Sequence, residues 1–327
     1  MRKDEESLDF VLQDQLEQTT SHSKINITKL TPASSVTDYE IHNLALEWSL
    51  AEPIVMESSE DIKSKINWQG RVEPYHHQIK NLMTFCRKLP VTLITDDVGL
   101  GKTISAGLIL SELMVRNRVS RTLVICPSLL GPQWIEELNS KFGIEGRWAT
   151  GANFDQEIKG IYPVVATTYQ TASTRLKHIK PGAFDMLILD EAHKVRNLYG
   201  GQSKPKFAKN IRQALSNRLF RYVVMLTATP IQNRLWDLYS LIDCLAVAKG
   251  HENPFGDEDH FRYKFIEDSK ATARVLNPDS AEEFREILRQ YLVRTRRQDV
   301  QLLFPERQVK LFRVRKNFPG PKIRSPC

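Results

Sequence analysis

The sequence predicts an α/β fold, a single parallel sheet flanked by helices, on two observations. First, short apolar runs rich in β-branched residues alternate with segments of helical length from about residue 74 onward. Second, these runs are apolar throughout, without polar alternation, which is typical of strands buried on both faces of a parallel sheet. Helices would then connect successive strands by right-handed crossovers.

The individual elements can be placed in chain order. The predicted strands are VTLIT (91–95), TLVIC (122–126), PVVAT (163–167), MLILD (186–190) and YVVML (222–226). Amphipathic helices are predicted at about 103–117, 132–142, 206–219 and 234–247. A later helix would start at Ser280 as N-cap, with Glu283 completing a capping box.

The chain organisation follows from these elements. Residues 1–70 are polar, with weak patterns of local order, and this composition predicts a small N-terminal accessory segment. Residues 71–248 would form the main lobe. The polar stretch 249–280 is predicted to be a loop or insertion, and 281–327 a helix, an arginine-rich exit segment and an irregular tail.

Composition limits the class of protein. The chain has 327 residues, of which 41% are hydrophobic and 26% charged, so it is globular and neither disordered nor collagen-like. Its four cysteines form no CxxC pair, which argues against a disulfide scaffold or structural zinc site and favours a reducing compartment. No apolar run approaches the length of a membrane span and no signal peptide is evident, so we expect a cytoplasmic protein.

The net charge of +7 is concentrated at one end of the sequence. Residues 285–327 hold 12 of the 46 Lys and Arg but only 3 of the 39 Asp and Glu. Local basicity of this kind indicates a contact with a polyanion, although a solvated helix face and tail explain it equally well. Charge alone is therefore poor support for binding to DNA.

The first chemical motif is TDDVGLGKT (95–103), which follows an apolar strand and opens a helix. Gly99 and Gly101 would let backbone N–H groups approach phosphate oxygens without an intervening Cβ. Lys102 would place its ammonium against the β- and γ-phosphates, and the Thr103 hydroxyl would bind Mg²⁺. Asp96 stands where the strict phosphate-loop pattern has glycine, so a chance Gly-Lys-Thr at a helix start is the alternative interpretation.

The second motif is MLILDEAHKVRN (186–197), in which Asp190 and Glu191 end a buried strand. Two adjacent carboxylates at this position need a cation partner. Asp190 would hold Mg²⁺, and Glu191 would orient and deprotonate the attacking water. Alone, the pair could equally be a solvated strand end. The third motif, LTATPIQN (226–233), offers the hydroxyls of Thr227 and Thr229 after another strand, or is simply a strand exit.

Together and in this order, the three motifs resemble those of Swi/Snf-type, superfamily-two helicase-like ATPases. Members of that family commonly have Asp-Glu where this chain has Asp96-Asp97, so an aspartate in the glycine position is a family trait. SAGLILSEL (105–113) is similar to a segment of bacterial RNA-polymerase-associated relatives, and the resemblance covers about 70–310. It implies a RecA-like P-loop NTPase lobe with a DEAH box at Asp190–His193, binding ATP and Mg²⁺.

The resemblance also assigns residue roles. PYHHQ (74–78) looks like the upstream glutamine motif, which implies that Gln78 reads the adenine edge, and His193 would link the nucleotide site to Thr227. Lys102, Asp190 and Glu191 would be catalytic, and Thr103 and Asp190 would hold the metal. The residues implied to contact the nucleotide are Gln78, Asp97, Val98, Gly99, Leu100, Gly101, Lys102, Thr103 and Ile104.

Two further segments, LVICPSLLGPQWIEEL (123–138) and VVATTYQT (164–171), look like those that touch a nucleic-acid backbone in the family. Ser128, Thr167 and Thr168 would bond phosphate oxygens without reading bases, or serve merely as loop and cap residues. LVRTRRQDV (292–300) looks like the arginine-rich exit from the first lobe. The implied partner is double-stranded DNA, with a cytoplasmic, nucleoid-associated location in a bacterium.

A complete motor of this family has a second lobe whose glutamine–glycine–arginine motif supplies an arginine to the γ-phosphate. No glycine after Ala246 precedes an arginine here, so we expect a truncated chain that binds ATP and hydrolyses it weakly alone. The resulting hypothesis is the first lobe of a DNA-dependent ATPase that translocates and remodels protein–DNA complexes. A non-hydrolysing scaffold subunit that binds a protein partner, or the motor lobe of a restriction or antiviral complex, remain open.

Overall fold

The computed structural model describes residues 52–199, 205–231, 234–267 and 273–300. Every helix and strand named below lies in the unit that begins at Val55. The predicted accessory segment up to residue 51 and the tail from residue 301 lie outside the described residues. Among the described residues, no helix is both long and apolar enough to cross a bilayer.

The centre of the described unit is a seven-stranded sheet in which every pairing is parallel. The strands are β1 (Val91–Ile94), β2 (Thr122–Cys126), β3 (Gly146–Trp148), β4 (Val164–Thr168), β5 (Met186–Asp190), β6 (Tyr222–Leu226) and β7 (Leu292–Val293). Their order across the sheet is β3-β4-β2-β5-β6-β1-β7. The predicted parallel α/β fold is confirmed, and the two short edge strands β3 and β7 are additions to it.

Helices cover the sheet. They are α1 (Lys65–Trp68), α2 (His76–Arg87), α3 (Lys102–Val115), α4 (Gly131–Phe142), α5 (Phe154–Glu157), α6 (Tyr169–Arg175), α7 (Lys206–Ser216), α8 (Leu235–Ala248), α9 (Glu258–Phe265) and α10 (Ala281–Tyr291). Alternate residues of the central strands, such as Leu123, Leu187 and Val223, share one hydrophobic core with α7 and α8. Because both faces of these strands are buried, the uninterrupted apolar runs are explained.

Part of the predicted accessory segment packs against the lobe. Trp68 is buried, and its Nε1 donates to Ser64 Oγ at 3.1 Å. Glu112, fully buried in α3, accepts from the backbone N–H groups of Lys63 and Ser64 at 3.2 and 2.8 Å. Residues 55–70 therefore belong to the same unit as the lobe, and the boundary predicted at residue 70 lies too late in the chain.

The stretch 249–280, predicted as an irregular loop or insertion, contains α9. Asp257 caps this helix by accepting from His260 N at 2.8 Å, and Phe261 and Phe265 are buried in the main core. Ser280 is the N-cap residue of α10, as predicted, but it makes no side-chain capping hydrogen bond, because its hydroxyl donates to the Lys264 carbonyl at 2.8 Å. Phe261 and Phe265 therefore make the stretch 249–280 part of the hydrophobic core.

Candidate nucleotide-binding site

The phosphate loop connects β1 to α3. Gly99 and Gly101 have φ values of 86° and 71°, a left-handed conformation that strains residues with side chains. A Cβ at Gly101 would lie 2.5 Å from Gln78 Nε2, and one at Gly99 would lie 2.8 Å from a guanidinium nitrogen of Arg297. Both glycines are thus favoured by their left-handed conformation, and the ends of the Gln78 and Arg297 side chains lie close to them where the loop turns into the helix that Lys102 begins.

The Lys102 ammonium lies inside this loop. Its Nζ donates to the carbonyl oxygens of Asp96 and Asp97 at 3.0 and 3.4 Å. Partial burial lowers the pKa of Lys102, and the nearby carboxylates of Glu191, Asp96, Asp190 and Asp97 act in the opposite direction. The phosphate loop and the DEAH segment therefore form one electrostatic site.

Asp190 ends β5 and is almost fully buried. Its Oδ1 accepts from Glu191 N at 2.9 Å, and its Oδ2 accepts from Trp134 Nε1 at 2.8 Å. The Tyr169 hydroxyl donates to the Asp190 backbone carbonyl. Burial raises the pKa of Asp190, while the bond from Trp134 and the charge of Lys102 oppose that rise. Both carboxylate oxygens are consequently fixed in direction.

Glu191 adopts a left-handed backbone conformation, with φ of 56° and ψ of 49°. For a residue with a side chain this costs about 1–2 kcal/mol, which is characteristic of functional sites. His193 Nδ1 lies 3.0 Å from Glu191 Oε2 and 3.2 Å from Thr227 Oγ1. The hydrogen bond from His193 lowers the pKa of Glu191. His193 thereby connects the DEAH segment to the third motif, as the resemblance implied.

Gln78 is buried against the phosphate loop. Its Oε1 accepts from Tyr75 N at 2.9 Å, and its Nε2 donates to the carbonyls of Leu100 and Gly101 at 3.1 and 3.4 Å. His77 Nε2 also bonds the Leu100 carbonyl, at 2.9 Å. The glutamine motif thus holds the loop, and its contact with adenine stays a prediction.

The residues present fit a magnesium–nucleotide complex. The left-handed glycines leave open backbone for phosphate oxygens, and a hydroxyl (Thr103) and a carboxylate (Asp190) are the oxygen donors that Mg²⁺ prefers. Among the described residues, no group of three or more His, Cys, Asp or Glu side chains could hold a metal by itself.

The remaining loop residues and nucleic-acid candidates are placed as follows. Val98 is exposed, whereas the side chains of Leu100 and Ile104 are buried, so the latter two can offer only backbone groups. The prediction that Thr167 contacts a nucleic-acid phosphate is wrong. Thr167 is fully buried and its hydroxyl donates to the Ala149 carbonyl at 2.6 Å, so it cannot bond a nucleic acid.

Thr168 and Ser128 remain predictions. Thr168 caps α6, accepting from Thr171 N at 3.0 Å, and is half-buried. Ser128 is exposed at the start of a 3-10 turn that leads into α4.

Two contacts at the site were not foreseen from the sequence. Trp134, in a segment assigned to nucleic acid, donates to Asp190, and Asp96 accepts from Thr295 N at 2.7 Å. A buried tryptophan needs an acceptor for its N–H, which is the one signal that could have indicated the first contact. No comparable signal exists for the second, since Thr295 lies far away in sequence.

Comparison with known proteins places this site in a family. The SNF2-related domain matches residues 75–317, about three quarters of the sequence. The chain belongs to the SNF2-related family. The phosphate loop, the DEAH box and Thr227 of this SNF2-related chain all lie within the matched residues.

Relatives of this SNF2-related chain include the uncharacterized ATP-dependent helicase YqhH of Bacillus subtilis, 28% identical over 279 residues, 84% of this chain and 45% of that protein. The RNA polymerase-associated protein RapA of Histophilus somni is 33% identical over 171 residues, 48% of this chain and 17% of RapA. The chain thus spans less than half the length of these relatives.

A solved structure also matches, the Sulfolobus solfataricus SWI2/SNF2 ATPase core in complex with double-stranded DNA. It is 28% identical, with a TM-score of 0.52, over 70% of this chain and 46% of that one. The predicted RecA-like lobe is thereby confirmed as the fold of this SNF2-related chain.

Proposed function

We propose that this chain is the ATP-binding lobe of a double-stranded-DNA-dependent ATPase that translocates along DNA and remodels protein–DNA complexes in the bacterial cytoplasm. The observation that carries the proposal is the meeting of Lys102, Asp190 and Glu191 in one electrostatic site beside a glycine loop with left-handed geometry.

The geometry of the site suggests a role for each of its residues. The loop backbone and Lys102 would bind the phosphates, and Thr103 and Asp190 would hold Mg²⁺, which supplies neutralisation of phosphate charge. Glu191, which His193 holds by a hydrogen bond, would orient the attacking water and accept its proton. The bond from His193 toward Thr227 would relay the state of this site to the segment after β6.

Double-stranded DNA is the proposed partner because the solved SWI2/SNF2 core was captured with it. Ser128 and Thr168 would contact phosphates, and such contacts fix register without reading sequence. We therefore expect binding that is independent of sequence and weakens steeply with added salt. A protein partner is also proposed, since RapA is named for its association with RNA polymerase.

Nucleotide binding is the first test. The 327-residue chain is titrated with ATP–Mg²⁺ by calorimetry, together with Lys102→Ala and the matched control Lys159→Ala, an exposed lysine elsewhere. The original chain and the control should bind equally, and Lys102→Ala should lose roughly tenfold or more, since charge-assisted bonds contribute about 1.5–3 kcal/mol. Equal binding by all three would refute the site.

The rate of ATP hydrolysis distinguishes a motor lobe from a non-hydrolysing scaffold subunit. ATP hydrolysis is measured with and without double-stranded DNA, and slow rates are expected because these 327 residues lack a glycine–arginine finger motif. Stimulation by DNA supports the motor. Binding of ATP with no turnover on any DNA would instead favour a non-hydrolysing, nucleotide-dependent scaffold.

A further inference from the structure

The exit segment, defined here as residues 294–299, runs directly along the phosphate loop. It follows β7, whose pairing with β1 continues beyond the ends of both strands. Thr95 N donates to the Val293 carbonyl at 2.8 Å, and Asp97 N donates to the Thr295 carbonyl at 3.1 Å. The loop therefore lies against this distant part of the chain along its first residues.

The exit segment also bonds the two carboxylates of the loop. Asp96 is fully buried, and its Oδ1 accepts from Thr295 N at 2.7 Å while its Oδ2 accepts from Asn81 Nδ2 at 2.7 Å. Asp97 Oδ2 accepts from Arg297 N at 3.1 Å, and a guanidinium nitrogen of Arg294 lies 3.9 Å from Asp97 Oδ1. Each carboxylate thus has a partner in the exit segment.

Arg297 completes the contact through its side chain. Its Nε donates to the Val98 carbonyl at 2.9 Å. Its guanidinium occupies the space beside Gly99, where a Cβ would come within 2.8 Å of it. A positive charge therefore sits against the face of the loop that lacks side chains.

These contacts reduce the electrostatic repulsion that the aspartates of the loop would exert on a bound anion. A loop that binds a polyphosphate anion carries two aspartates, and unpaired carboxylates there would repel the phosphates. The exit segment supplies backbone donors to both carboxylates and guanidinium charge beside them. It also draws the Val98 carbonyl toward Arg297, which orients the following peptide of the loop.

We propose that the exit segment is a positioning element of the nucleotide site, with Arg297 as its positioning residue, which orients the phosphate loop for an anionic nucleotide. This inference rests on the proposed function. Its consequence is reciprocal, because a segment that raises affinity for the nucleotide must itself be stabilised when the nucleotide binds.

The first experiment compares ATP–Mg²⁺ affinity and melting temperature for the original chain, Arg297→Ala, Arg297→Lys and the control Arg296→Ala. Arg296 is adjacent, exposed and of the same charge. Arg297→Ala should weaken binding roughly threefold to tenfold, and should lower the melting temperature only slightly, because the hydrogen bond that it loses lies at the surface of the fold. The ATP–Mg²⁺ affinity of Arg297→Lys should lie between those of Arg297→Ala and the original chain. The affinity of Arg296→Ala should equal that of the original chain.

The second experiment measures hydrogen exchange of the peptide 292–300 with and without ATP–Mg²⁺. Nucleotide should slow exchange at the amides of Thr295 and Arg297 in the original chain, and less so in Arg297→Ala. A purely structural contact would give the same protection with or without nucleotide.

The outcomes separate the two claims. An original chain that fails to bind ATP removes both the proposed function and this inference. If the original chain binds ATP but Arg297→Ala binds equally well, or nucleotide leaves exchange unchanged, the proposed function survives and the positioning role is refuted.

Discussion

The indole N–H of Trp134 controls the direction of the Asp190 carboxylate. It is buried, and it donates to one oxygen while the backbone of Glu191 donates to the other. A metal ligand whose orientation is held by a neighbouring donor binds more strongly than a free one. Trp134 is thus a positioning residue for the proposed magnesium site.

Replacing Trp134 with phenylalanine keeps an aromatic ring and removes the donor. We expect a lower free energy of unfolding, by about 1–3 kcal/mol for an unsatisfied buried acceptor, and a several-fold higher Mg²⁺ requirement for ATP binding. Calorimetric ATP titration at several Mg²⁺ concentrations measures the second effect. The control is Trp148→Phe, at a ring that packs on Gly131; identical Mg²⁺ dependence of the two variants would contradict the role.

At the scale of single residues, the sequence predicts which residues form the site better than it predicts which side chains contact one another. Lys102, Asp190 and Thr227 could be expected at one edge because each follows a parallel strand, and the structure brings them there. The burial of Thr167 could not be foreseen, because its neighbour Ala149 comes from the edge strand region that the periodicity did not reveal. Trp134 likewise reaches Asp190 only through the adjacency of β2 and β5.

Among the elements, α3 and α4 pack with little space at Gly107. A Cβ at this position would lie 2.3 Å from the Phe142 ring. Glycine inside a helix usually costs stability relative to alanine, by roughly 0.5–1 kcal/mol. Here the close approach of the two helices reverses that preference.

Gly107→Ala should therefore destabilise the chain by about 1–3 kcal/mol, as overpacking of a core typically does. Urea denaturation gives the free energy of unfolding. Adding Phe142→Leu to the same chain should recover part of the loss, since it removes the ring atoms that clash. An unchanged or increased stability of Gly107→Ala alone would show that the helices move apart easily.

Element prediction succeeded where periodicity was strong. The five apolar runs are strands within one residue of their predicted bounds, because short β-branched runs separated by helices are typical of strands buried on both faces of a parallel sheet. Helix α9 was missed because acidic and basic residues surround Phe261 and Phe265, and only tertiary packing shows that these two rings enter the core. The two-residue strand β7 is set by its partner rather than by local preference.

Across the whole molecule, buried thiols make stability sensitive to alkaline pH. Burial raises the pKa of Cys86 and of Cys126 to about 12, and raises that of fully buried Cys244 further. Above the ordinary thiol pKa near 9, the unfolded chain releases protons that the folded chain retains. The unfolded state then binds fewer protons, so stability must fall as pH rises.

The urea midpoint should accordingly decline between pH 8.5 and 10, with about 1.4 kcal/mol lost per thiol at pH 10. Cys244→Ala isolates the thiol contribution, because its decline should be shallower by that amount whatever the cost of the substitution at neutral pH. Parallel declines for the two chains would mean that Cys244 ionises as readily folded as unfolded.

The pairing of β1 with β7 also sets the order in which the site is completed during synthesis. Asp96 and Thr295 are 199 positions apart, and at about 5–20 residues per second the ribosome needs roughly 10–40 s to span them. Both neighbours of β1 in the sheet emerge later than β1 itself. A nascent lobe must therefore persist without its finished phosphate loop until β7 has docked, and if the proposed positioning role holds, nucleotide should stabilise the lobe more strongly after that docking than before it.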